Sequence, residues 1–126
     1  MKKVAALLAC LLFSLPGLAA QPIDVSLLSL IGSPKEFDGK LVRLIGFAHF
    51  EFEGNAIYLH REDHLRGIPK NGLWLDVEEM PRKELSKVNN KYVLVEGVFA
   101  MEDKGHVNLF SGSIKKVQRL EQWRAP

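Results

Sequence analysis

From Leu41 the chain alternates. Val42, Leu44, Gly46, Ala48, Phe50 and Phe52 make one set, and Leu41, Arg43, Ile45, Phe47, His49 and Glu51 the other. A period of two belongs to a strand, whose successive side chains point to opposite faces. The first set carries no charge and is therefore read as the inward one. Gly54-Asn55 supplies a two-residue turn. Ala56 to His60 then resumes the alternation, with Ile57 and Leu59 inward and Tyr58 and His60 outward. A turn at Gly54-Asn55 pairs Phe52 with Ile57 and Phe50 with Leu59 inside. The outer pairs are Glu51 with Tyr58 and His49 with His60. The face assignments of the two strands agree in this register, as they must where one face is buried.

The segment Lys40-Leu41-Val42-Arg43-Leu44-Ile45-Gly46-Phe47 has an echo in Lys91-Tyr92-Val93-Leu94-Val95-Glu96-Gly97-Val98. Each follows a turn and places a glycine six residues after its lysine. A glycine in mid-strand marks a bulge or a sharp bend, the device that curls a sheet. Two such strands predict a small closed barrel. Further strands are expected over 73–77, 92–103 and 106–120, with Trp74 and Asp76 outward on the first of these. A short helix is expected over 25–31, N-capped by Asp24, with Leu27, Leu28 and Ile31 on one face and ended by Gly32 and Pro34. A second starts near Pro81 behind Glu78 and Glu79 and ends at Asn89-Asn90. Residues 61–72 read as a polar loop and residues 121–126 as a loose tail. The expected fold is thus mainly β: a five-stranded barrel with a short N-terminal helix and a short helix between strands 3 and 4.

Residues 1–20 carry a different signal. Lys2 and Lys3 precede an apolar run from Val4 to Leu15, and Pro16, Gly17 and small residues follow. That is the layout of a secretory signal peptide, too short to span a membrane. Cleavage after Ala19 or Ala20 is expected, leaving 21–126 as one domain of the periplasm or the exterior. A lipid-attachment reading of Leu7-Leu8-Ala9-Cys10 fits less well, because the apolar run continues beyond Cys10. Without Lys2 and Lys3, the 17 basic residues fall to 15 and equal the 15 acidic ones. A neutral domain lacks the electrostatic footprint of non-specific nucleic-acid binding. The single Cys leaves with the leader, so thiol chemistry and disulfides leave too.

The strand order, with glycine-bent first and fourth strands, resembles the OB-fold. The pattern FDGKLVRLIGF, paired with NNKYVLVEGVF, resembles small secreted bacterial OB-fold proteins of uncharacterised function. The resemblance spans about residues 25–120 and implies architecture. It carries over no functional residue, because fold does not fix function.

OB domains bind through the face of strands 2–3 and the loops beside it. On this chain that face offers Phe47, His49, Tyr58, His60, Trp74 and Asp76, with Arg43 at its edge. Outward aromatics stack on flat ligands, or else pack beneath neighbouring segments of their own chain. His49 and His60, with His64 nearby, are the alternative, metal-binding constellation. His106 borders the loop between strands 4 and 5. Ser111-Gly112-Ser113 is not a nucleophile elbow, and Gly32 to Gly39-Lys40 has the wrong spacing for a phosphate loop. The expected function is an exported, non-catalytic binding module without a cofactor, holding a small ligand, an oligosaccharide or a protein on strands 1–3. An envelope protein–protein interaction domain is the further alternative. The sequence leaves the oligomeric state open.

Overall fold

The computed structural model describes residues 20–126. The predicted leader, its cleavage site after Ala19 and the Cys10 motif lie outside the described residues. The chain runs β1 (Ile23–Asp24), α1 (Leu27–Gly32), α2 (Pro34–Phe37), β2 (Leu41–His49), β3 (Ala56–Tyr58) and α3 (Arg61–Leu65). It continues through β4 (Gly72–Leu75), α4 (Arg82–Val88), β5 (Lys91–Ala100) and β6 (Ser113–Gln122).

Strands β2, β3, β4, β6 and β5 follow one another around a sheet, and β5 returns to β2. The result is a closed five-stranded OB-like barrel, with β1 added in parallel to β2 through Ile23 and Val42. The echoed glycines explain the curl. In the β2–β5 ladder Gly46 faces Val93 and Gly97 faces Val42, two symmetric positions of one antiparallel pair. A Cβ on Gly46 would lie 2.6 Å from the Tyr58 carbonyl oxygen, and one on Gly97 would lie 2.6 Å from Ile114 Cγ2. At Gly97 the β5–β6 register also shifts. Both strands are drawn against a neighbour more closely than any side chain permits.

The barrel is filled by the inward rows: Val42, Leu44 and Ala48 from β2, Ile57, Leu73 and Leu75 from β3 and β4, and Val93, Val95, Phe99 and Ile114 from β5 and β6. Leu27 and Leu30 of α1 and Val88 of α4 join the same core. Each fully buried leucine contributes about 2 kcal/mol by removal from water. The helix face differs from the one expected. Leu28 is exposed and Leu30 takes its place, three residues from Leu27. Ser26, not Asp24, caps α1, its hydroxyl accepting from the Ser29 N–H. Asp24 instead pairs with Arg43 across β1 and β2. Pro34 opens a second short helix, as its fixed φ allows at a first turn.

The β2–β3 hairpin departs from the expected register. The observed pairs are Phe47 with Tyr58, Ala48 with Ile57 and His49 with Ala56. The chain leaves the sheet at Phe50, whose N–H donates to the Asn89 side chain at 2.8 Å. Residues 50–55 form a loop, turned by the Gly54 N–H on the Glu51 carbonyl, with Glu53 at φ 56°. Phe52, expected inside, stands 86 % exposed. The 61–72 segment is not a plain loop: it contains α3 and a 3-10 turn, Pro69–Asn71. The last strand begins at Ser113 rather than 106, because 101–112 forms a loop. It also runs into the supposed tail, and the Trp123 N–H still donates to the Tyr92 carbonyl.

Candidate binding groove

The outward row of β2, β3 and β4 is covered by its own chain. Phe47 is 3 % exposed and Tyr58 8 %. Two segments close over them. From one side, α3 lays His64 on this row, with ring centroids 3.8 Å from His49, 5.5 Å from Tyr58 and 6.1 Å from Phe47. From the other, the β5–β6 loop brings Phe110 to 6.2 Å from Tyr58 and 5.8 Å from Trp74. The fit is tight enough to need two glycines. A Cβ on Gly72 would approach the Tyr58 ring at 2.9 Å, and one on Gly105 would approach Trp74 at 2.8 Å. Ala56, Tyr58 and Phe110 thus form a second small core against which Trp74 packs.

The six expected face residues therefore separate. Phe47 and Tyr58 are packing residues, and burial pushes the Tyr58 phenol up. His49 is half-buried, with Nδ1 2.6 Å from the Asn90 side-chain oxygen and Nε2 3.3 Å from Glu51. His60 does not meet His49. It precedes α3, where its backbone N–H donates to Asp63 at 2.9 Å. Asp76 is exposed beyond β4. Of the six, Trp74 is the one that is packed on one side and opens onto a groove on the other. Arg43 lies further along the outer side of β2, apart from this cluster: it pairs with Glu96, which also takes Arg119.

The open side of Trp74 belongs to a groove of about 940 Å³ at one end of the barrel. Its walls are the β2–β3 loop with Phe50 and Phe52, the β4–α4 connection with Val77 and Met80, the α4 side chain of Leu85, and the β5–β6 loop at Asp103 to His106. Fold closure puts three separate stretches together, the β2–β3 loop, the β4–α4 connection with α4, and the β5–β6 loop. His106 Nε2 lies 3.3 Å from Glu53 and ties the two loops across the groove. Asp103 is anchored by Lys115 at 2.7 Å, which holds its carboxyl below the usual range. Lys115 and, on the same strand, Arg119 are each engaged by carboxylates.

Metal binding draws no support from this geometry. His49 and His64 meet face to face, 25° from parallel, so their rings stack instead of aiming nitrogen lone pairs at one point. Among the described residues no group of three or more His, Cys, Asp or Glu side chains gathers to hold an ion. No described helix is long and apolar enough to cross a membrane.

Sequence reasoning missed Phe50, Phe52 and Met80 as groove residues and Phe110 as a cover. Their one sequence signal was position: Phe50 and Phe52 end an alternating strand beside Gly54-Asn55, where a loop projects. No protein-family profile matches the chain, and no curated protein matches it in sequence.

Proposed function

We propose that the protein is an exported, non-catalytic binding module whose ligand seats in the end groove against Trp74, not on the sheet face. Trp74 carries this reading. It is the one outward aromatic of β2–β4 that the chain leaves partly open, and the opening faces a groove lined by two further aromatics. The groove is concave and mixed, with aromatic and aliphatic side chains set among charged and amide groups, and a ligand site needs both to bury and to orient what it binds. The non-catalytic part rests on the titratable groups. Apart from Tyr58 and His64, those displaced from their ordinary values sit in ion pairs that join strands and loops, such as Glu96 with Arg43 and Asp103 with Lys115. Export rests on the leader pattern of residues 1–20.

The test uses Trp123→Phe protein, in which Trp74 is the sole indole. Its fluorescence is followed while neutral oligosaccharides and short peptides are added in separate series. A saturable change, lost in Phe52→Ala protein, is expected. A flat response to both series at millimolar concentration overturns the reading.

A further inference from the structure

The groove has a sign. Glu51 and Glu53 stand on the β2–β3 loop and Glu78 on the β4–α4 connection, against Arg82 and Lys83 on α4, while Asp103 on the β5–β6 loop is matched by Lys115. Acids outnumber bases here, although residues 21–126 carry equal numbers of both. The carboxylates not matched by a lysine or arginine come from two separate segments, so a bound chain lying in the groove meets one on either side. Between them lie Phe50, Trp74, Met80 and Leu85. Aliphatic and thioether side chains repack around varied apolar groups.

Two details point to a site built to receive a partner. Phe52 is 86 % exposed at the tip of its loop, flanked by Glu51 and Glu53. Glu53 holds a left-handed φ of 56°, and both flanking carboxylates are held by imidazoles, Glu51 by His49 and Glu53 by His106. The loop is therefore fixed in a strained form that presents an aromatic anchor between two acids. Strain of this kind persists where surrounding contacts over-determine it. Aromatic anchors of this type dominate the energetics of protein recognition.

We infer that the groove takes a basic peptide segment, an extended stretch bearing Lys or Arg beside an apolar side chain that seats on Trp74. The inference rests on the groove being the binding site. It is tested by passing a pool of randomised hexapeptides over immobilised full-length mature protein and sequencing what is retained. Enrichment of Lys and Arg together with a large apolar residue is expected. It should fall in Glu53→Gln/Glu78→Gln protein by about tenfold, the effect of losing one or two charge-assisted contacts. Retention of acidic or uncharged peptides, or basic enrichment indifferent to the double substitution, overturns the inference. If instead an oligosaccharide shifts Trp74 fluorescence and no peptide is retained, the groove stands as a site and the peptide assignment fails. If neither binds, both readings fail.

Discussion

The imidazole of His64 lies on that of His49, 3.8 Å between centroids, and this contact fastens α3 to the barrel. His49 belongs to β2 and His64 to α3, so the stack spans the boundary between the sheet and the segment that covers it. It also explains why the OB sheet face is shut here. Phe47 and Tyr58, which would otherwise meet a ligand, are used to seat His64. The proposed site lies instead at the end of the barrel, where Trp74 is half covered by the β5–β6 loop and half open.

The stack makes stability depend on pH. Burial lowers the pKa of His64 and the adjacent His49 lowers it further, while Glu51 opposes them. Tyr58, the other titratable neighbour, is a neutral phenol at these pH values. Unfolded His64 binds its proton at the ordinary 6.5, folded His64 only at lower pH. The unfolded state therefore holds more protons in this window. Stability present above 6.5 is lost as pH falls through it toward the folded value. Thermal unfolding at about pH 7.5 and about pH 5.5 should show a larger drop for wild type than for His64→Phe, which keeps a flat ring without a titrating group. An equal drop in both proteins contradicts the assignment.

The bend glycines admit no side chain. Gly46→Ala would push a methyl to 2.6 Å from the Tyr58 carbonyl oxygen, which is backbone and cannot rotate away. A loss of about 2–3 kcal/mol in urea unfolding is expected, at the upper end for overpacking. Gly97→Ala, against Ile114 and the Lys115 carbonyl, should behave alike. Unchanged midpoints would mean that the barrel can open at these positions.

Glu96 should matter for the far side of the barrel and not for the groove. One buried carboxylate accepts from Arg43 at 2.8 Å, Arg119 at 3.0 Å and Gln118 at 3.2 Å. The bond from Arg43, then that from Gln118, holds its pKa below the usual carboxylate value. Its contribution is present above the unfolded value of 4.5 and is lost as pH falls through the lower folded one. Glu96→Gln should lower the urea midpoint at neutral pH and converge with wild type in acid. Parallel pH profiles would show the network to be without weight.

Phe52 and Trp74 should separate binding from stability. Phe52→Ala should leave stability within about 0.5 kcal/mol, because the ring is exposed. Trp74→Ala removes a ring packed on Phe110 and should cost about 2–3 kcal/mol, less than a fully buried tryptophan. Both should abolish peptide retention. Urea unfolding and the retention assay on the same preparations check this, and undiminished binding by Phe52→Ala protein would remove that residue from the site.

Much of the barrel was legible in the sequence. Alternation placed Val42, Leu44, Ile57, Leu73 and Leu75 inside, and Gly46 and Gly97 marked the bends. The hairpin register was not legible, and the reason is parity. Ile57 pairs with Ala48 where Phe52 was expected, a shift of four residues along β2. A shift by even steps keeps every side chain on its own face. Agreement of the faces could therefore not distinguish the two registers. The Asn89 side chain, far along the chain, captures the Phe50 N–H and ends the pairing early. The groove depended on that choice, since it freed residues 50–55 to become a wall.

The sequence by itself determined which residues of the paired strands lie inside the barrel, where those strands bend, and that Trp74 points outward. These follow from local periodicity and from the volume of a missing side chain. Only the tertiary structure decided which outward aromatics stay open. Tyr58 and Trp74 read alike as outward residues of neighbouring strands, yet His64 and Phe110 bury the first while the second opens onto a groove. Cover comes from residues distant in the chain, and no local pattern of the covered residue records it.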